Sequence, residues 1–214
     1  MNKGNDSSKL VYWGTAGCGS RSHGAFLDDI GILSGKGITH TQGMPEGTDY
    51  SWKVICMIRN PYTMCWSTFS DLYMDLHENR GTIEDIKKSF KEYIMKKRYE
   101  RHFPDNYDIF YYNQWDKLGR TPDYFIRMEH ASVDFAKIPN IKDYCSEEKY
   151  QESLKFHIFT NHHAHENQLD DYRSDRQQKI THLYDQEMAD KVYNTEKKIF
   201  DIGEYDKDSW KYLN

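Results

Sequence analysis

The sequence predicts a three-layer α/β domain built on a central, mostly parallel sheet. Three stretches carry that prediction. Lys9 to Ile30 reads as a short apolar strand, a glycine-rich turn and a helix. Lys53 to Ile58, KVICMI, is the nearly continuous apolar run expected of a strand buried on both faces, and Arg59-Asn60-Pro61 follows it. Tyr124 to Met128, YFIRM, is a third strand. Strand–loop–helix units separated by further strands are the pattern of an α/β sheet with helices on its faces.

In chain order, the first strand covers Leu10 to Trp13, the turn holds Gly14, Gly17 and Gly19, and the helix opens between Ser20 and Ser22. Gly31 to Asp49 is rich in turn residues and leaves room for one short strand at Ile38 to His40. After the second strand, Asn60 suits a helix N-cap and Pro61 the first helical position, where a missing N–H costs nothing. Tyr62, Cys65, Trp66, Phe69, Leu72, Tyr73 and Leu76 then share one helical face. A further helix is expected from Thr82, with Asp85 in a capping-box position, through Ile86, Phe90 and Ile94 to about Tyr99. Its opposite face, with the residues just after it, carries Lys87, Lys88, Lys91, Lys96, Lys97, Arg98 and Arg101, a solvated face or a contact for an acidic surface or polyanion.

Asn106 to Arg120 reads as an aromatic loop. Glu129 falls at the end of the third strand, and a short helix or turn runs from Val133 to Ile138 before Pro139. Asn140 to Arg173 shows no periodicity. One long helix is expected from Asp175 to Phe200, with Gly203 as its stop.

The length of 214 residues suits a single domain over 1–214, with residues 1–8 as a flexible lead-in. Bulk comes from 17 Tyr and 5 Trp, which point to an aromatic-rich core rather than disorder. A net charge of −5 argues against nucleic acid as the main partner. No run approaches the ~20 apolar residues of a membrane span. Cys18, Cys56, Cys65 and Cys145 lack paired spacing, which favours reduced thiols and a cytoplasmic location.

Candidate chemistry begins at the glycine turn. A helix N-terminus presents unpaired N–H groups and the positive end of the dipole, and Gly17 and Gly19 let an anion approach the backbone closely. Ser20 and Ser22 add hydroxyl donors and Arg21 a charged fork. The turn is not a Walker A loop, lacking the Gly-Lys-Ser/Thr ending. An ordinary strand–turn–helix connection is the other reading. In parallel α/β sheets ligands bind beyond the carboxyl ends of the strands. That rim is expected to collect the 14–22 turn, Arg59 with Asn60, and Arg127 with Glu129. Arg59 and Ser67, about two helical turns apart, could converge on one phosphate; a surface ion pair and an ordinary helix serine are the alternatives. His162, His163, His165 and Glu166 crowd together without a distant partner, so no metal is expected.

These motifs together resemble the sulfotransferases that use 3'-phosphoadenosine 5'-phosphosulfate (PAPS), nearest to those acting on carbohydrate hydroxyls. Gly14-Thr15-Ala16-Gly17-Cys18-Gly19-Ser20 lies across the family's phosphosulfate loop, matching it at Ala16, Gly17 and Ser20. Arg59-Asn60-Pro61-Tyr62 with Ser67 is similar to the segment holding the 3'-phosphate. Phe125-Ile126-Arg127-Met128-Glu129 is similar to the strand that follows. Tyr184 to Tyr205 resembles the C-terminal helix and tail.

The resemblance implies a P-loop-like sulfotransferase fold and transfer of a sulfuryl group from PAPS to a hydroxyl of a saccharide or small metabolite, leaving 3'-phosphoadenosine 5'-phosphate (PAP). It assigns Thr15, Ala16, Gly17, Cys18, Gly19, Ser20, Arg21 and Ser22 to the phosphosulfate, and Arg59 and Ser67 to the 3'-phosphate. It also makes His40 the general base and Asn167 a residue facing donor or acceptor. The family's loop lysine is Thr15 here, its loop threonine Gly19, and the second arginine of its 3'-phosphate motif Met64. Arg21 would then supply the catalytic positive charge. His23 is the second candidate base. Two rivals stand beside this reading: a related binding protein without turnover, and a nucleotide-dependent kinase, which lacks both the Walker lysine and a magnesium-binding aspartate after a strand.

Overall fold

The computed structural model describes residues 9–14, 18–33, 51–76, 83–96, 120–159 and 180–213. The elements in order are β1 (Leu10–Trp13), α1 (Ser20–Asp29), β2 (Lys53–Ile58), α2 (Pro61–Leu76), α3 (Ile83–Lys96), β3 (Tyr124–Arg127), α4 (Ala131–Phe135), α5 (Glu147–Ser153), α6 (Ile180–Leu183) and α7 (Gln186–Gly203). The expected α/β class holds, with a small open sheet of three parallel strands in the order β1–β2–β3. The chain divides into two compact units, residues 1–59 with 114–169, and residues 60–113 with 170–214.

The first unit is the sheet with its helices. β2 lies in the middle, and all of it beyond the exposed Lys53 is buried, as its unbroken apolar run requires. β1 is buried along its whole length, whereas edge strand β3 is half-buried apart from Ile126. A polar clamp fixes the register at the amino end of β2. Asp123 accepts from the Val54 N–H at 2.9 Å and pairs with Lys53 at 2.8 Å and Arg120 at 2.7 Å, while Arg120 also donates to the Trp52 carbonyl at 3.0 Å. α1 contributes Phe26 to the core, its ring 4.9 Å from Phe135 and 5.5 Å edge-on from Tyr150. Burying an aromatic or aliphatic side chain of this size stabilises by roughly 1.5–3 kcal/mol.

Two sequence expectations change in this unit. β3 ends at Arg127, and Met128–His130 turns as a 3-10 helix. Asn140 to Arg173, expected to lack periodicity, contains a 3-10 turn at Ile141–Tyr144, then α5, then a π-helical turn at Leu154–Phe159. The start of α5 was legible: Ser146 caps it by accepting from the Lys149 N–H at 3.2 Å, and Glu147 and Glu148 follow in the first turn, where the dipole favours acids. Short elements that bury only a few side chains leave little periodicity to read.

The second unit is helical. Tyr62, Cys65 and Phe69 of α2 meet Phe90, Tyr93 and Ile94 of α3 and Tyr184, Met188, Val192 and Phe200 in one core. Its rings pack at an angle: Tyr62 lies 5.2 Å from Tyr184 and 5.1 Å from Phe200, and Phe90 lies 5.2 Å from Tyr184, all edge-on. The predicted Asn60 cap and Pro61 start are both present, the Asn60 side chain accepting from the Tyr62 N–H at 3.0 Å.

The single long helix expected from Asp175 to Phe200 is broken. α6 ends at Leu183, Tyr184 and Asp185 leave the helix, and α7 starts afresh because Asp185 caps it, accepting from the Met188 N–H at 2.9 Å. Gly203 is also not the left-handed stop. It is the last helical residue, and Glu204 takes the left-handed conformation at φ 53°. Gly203 is small because a Cβ there would fall inside the ring of Tyr205. On α3, part of the lysine-rich face is used within the unit: Lys91 pairs with Asp185 at 2.8 Å and Glu187 at 2.7 Å.

Candidate functional site

The parallel pairing sets Trp13 beside Cys56 and Ile58 beside Arg127, so the three strands end along one edge. Gly14, Arg59 and Met128 are the first residues past those ends. α1 begins at the same rim. Its N-cap is Gly19, left-handed at φ 67°, a conformation glycine takes without strain. A Cβ at Gly19 would stand 2.9 Å from His23 Cε1 and 3.7 Å from Met128 Cε, which puts the start of α1 next to the end of β3. A threonine would therefore be strained at this position twice over.

The N-cap Gly19 has no side chain with which to cap α1, and no acid lies in its first turn. By contrast α2, α5 and α7 are capped by Asn60, Ser146 and Asp185. The first N–H groups of α1 thus receive no oxygen from the N-cap side chain, and no carboxylate in its first turn offsets the positive end of its dipole. This is the arrangement that receives phosphate or sulfate oxygens.

The first turn of α2 differs. Pro61 has no N–H, that of Tyr62 goes to Asn60 Oδ1, and that of Met64 goes to the Asn60 carbonyl at 2.9 Å. An anion here would be held by side chains.

His23 has a structural task. Its Nδ1 lies 2.6 Å from the Gly19 carbonyl, which also accepts the His23 backbone N–H at 3.1 Å. A carbonyl only accepts, so Nδ1 carries the proton. The ring is 2% exposed and 5.8 Å from Phe135. His23 thus anchors the cap of α1 from inside the unit.

Of the other predicted residues, Cys18 is buried beside the cap, and Ser22 is half-buried on α1. Ser20 and Arg21 occupy the first turn of α1, their side chains lying outside the described set. Arg59 is half-buried directly after β2, and Ser67 is half-buried on α2 in the second unit. Thr15, Ala16, Gly17, His40, Asn167 and the histidine cluster lie outside the described residues. Among the described residues no group of His, Cys, Asp and Glu is placed to hold a metal ion.

Arg127, expected on the rim with Glu129, pairs within its own unit. Its guanidinium forks onto Asp134, Nε to Oδ2 and Nη2 to Oδ1, both at 2.8 Å, and its backbone N–H reaches Oδ2 at 3.0 Å. Lys137 joins at 2.8 Å. Burial would raise the pKa of Asp134, but the hydrogen bonds from Arg127 and Lys137 hold it down at about 2. The pair braces β3 against α4. Asp134 went unnoticed in the sequence because its partner becomes apparent only once the chain turns back after His130.

No protein-family model, no curated protein and no solved structure matches the chain.

Proposed function

We propose that the chain is a PAPS-dependent sulfotransferase of the three-layer, P-loop-like kind, acting on a hydroxyl of a carbohydrate or small metabolite in a cytosol-like compartment. The observation that carries this reading is the N-terminus of α1, opened by the left-handed Gly19 with no cap side chain, at the carboxyl rim of a parallel sheet. The sequence resemblance supplies the substrate.

The residues divide the work as follows. The 15–22 segment, with the backbone N–H groups of α1 and the charge of Arg21, meets the negative charge that builds on the 5'-phosphate oxygen as its bond to sulfur breaks. Arg59, directly after β2, takes the 3'-phosphate, the role the resemblance assigns to it. His40 accepts the proton of the acceptor hydroxyl as its oxygen bonds to sulfur. Transfer of this kind rests on positioning and electrostatic stabilisation.

Calorimetry with PAP tests the binding half. The protein should bind it, and Arg59→Ala should weaken binding about ten- to a hundredfold, the loss of a charge-assisted pair of roughly 1.5–3 kcal/mol. Absence of binding to the unaltered protein overturns the reading. Mass spectrometry of saccharides and small alcohols incubated with PAPS tests turnover. Binding without any sulfated product would favour the rival binding protein, for which Thr15 in place of the loop lysine is the specific observation.

A further inference from the structure

We infer that His23 is a positioning residue for the anion site of α1, because it fixes the peptide unit whose N–H opens the helix. The inference rests on the proposed sulfotransferase reading, in which that site holds the 5'-phosphate end of the donor.

The Gly19 carbonyl receives two donors from one residue. The His23 backbone N–H reaches it at 3.1 Å, as an ordinary helical bond, and His23 Nδ1 adds a second contact at 2.6 Å. A carbonyl oxygen has two lone pairs and can accept both. The N–H of the same peptide unit belongs to Ser20, the first residue of α1. A trans peptide is planar, with its C=O and N–H on opposite sides. Holding the oxygen toward the second turn therefore holds the Ser20 N–H outward, along the line by which an anion approaches a helix start.

Gly19 and His23 are matched to each other. A Cβ on Gly19 would come within 2.9 Å of the imidazole Cε1 and 3.0 Å of Nδ1, so the ring fills the space that any larger N-cap would need. The ring is itself held by the unit, 2% exposed and 5.8 Å from Phe135 on α4. Such burial suits a residue that acts through the backbone, and not the second candidate base that the sequence offered.

A carbonyl that accepts hydrogen bonds polarises the N–H of its own amide. A donor fixed before the anion arrives also needs no reorganisation when charge develops. The imidazole thus acts on the phosphate through one peptide unit, without touching it.

The experiment compares PAP with adenosine 3'-monophosphate, which lacks the 5'-phosphate, by calorimetry. His23→Leu should weaken PAP about three- to tenfold, the loss of one neutral hydrogen bond, and leave the monophosphate unchanged. His23→Asn, whose Nδ2 stands close to the place of the imidazole Nδ1, should recover most of the PAP affinity. Nitrogen-15 NMR of histidine-labelled protein serves if the leucine variant does not fold. The Nδ1 signal that is missing from His23→Asn should move when PAP is added to the unaltered protein and stay in place with the monophosphate. Equal losses for both nucleotides, no loss for PAP, no recovery with asparagine, or an Nδ1 signal indifferent to PAP overturns the positioning role while the sulfotransferase reading stands. Failure of the unaltered protein to bind PAP overturns both.

Discussion

Asp134 is nearly buried, 4% exposed, yet ionised between Arg127 and Lys137. Its pKa in the folded chain, about 2, is below the 3.8 of an unperturbed aspartate. A group depressed on folding contributes stability that is present above the unfolded value and lost as pH falls through the folded one. Acid titration followed by near-ultraviolet circular dichroism should show stability declining from pH ~4 to ~2, by about 2 kcal/mol for this group. In Asp134→Asn that part of the decline should vanish and stability at neutral pH should be lower. An unchanged acid profile would remove the brace from the account. Gly19 carries the second residue-scale prediction. Gly19→Ala meets both a left-handed backbone and the His23 ring, and should lower stability by roughly 1–3 kcal/mol in thermal unfolding. The left-handed turn is a plausible use of glycine from sequence; the ring beside it is not visible there.

The start and end of α7 are each decided by one or two residues. Asp185→Ala removes the cap and a partner of Lys91, and should destabilise by about 1 kcal/mol in urea unfolding. At the other end, adjacent substitutions should act in opposite directions. Gly203→Ala drives a methyl into the Tyr205 ring and should destabilise by roughly 1–3 kcal/mol, whereas Glu204→Gly relieves a positive φ and should stabilise by about 0.4–1 kcal/mol. Equal signs for the two would contradict the cap geometry. The break before α7 was hidden because Leu183 and Met188 are buried on either side of it and Tyr184 within it, so the apolar spacing runs on across the interruption. Asp185 followed by Glu187 was the local signal that a new helix begins.

Across the whole chain, the described residues include all four cysteines, and none is in a disulfide. Cys18, Cys56 and Cys65 are buried, and Cys145 is half-buried. Burial pushes the Cys145 thiol up; Lys149 opposes this, and Asp29 and Glu147 add to it. A thiol reagent on the native protein should therefore label Cys145 first, faster as pH rises, and reach all four only after unfolding. Fewer than four reactive thiols in the unfolded, unreduced chain would contradict the reduced state.

The sequence by itself determined β1, β2, the glycine turn before α1, and the Asn60-Pro61 start of α2, because these depend on neighbours within a few residues. It also marked Gly19 and Arg59 as rim positions, since parallel strands end on one edge whatever covers their faces. The tertiary structure alone decided the partners. It turned Arg127 inward to Asp134, joined Asn60 to Ser209, set Tyr205 over Gly203 and buried His23 under the cap it secures. Local propensity says which conformation a segment favours, but a polar or bulky side chain acquires its role from whatever the rest of the chain brings against it, and that depends on the path of residues far away in sequence.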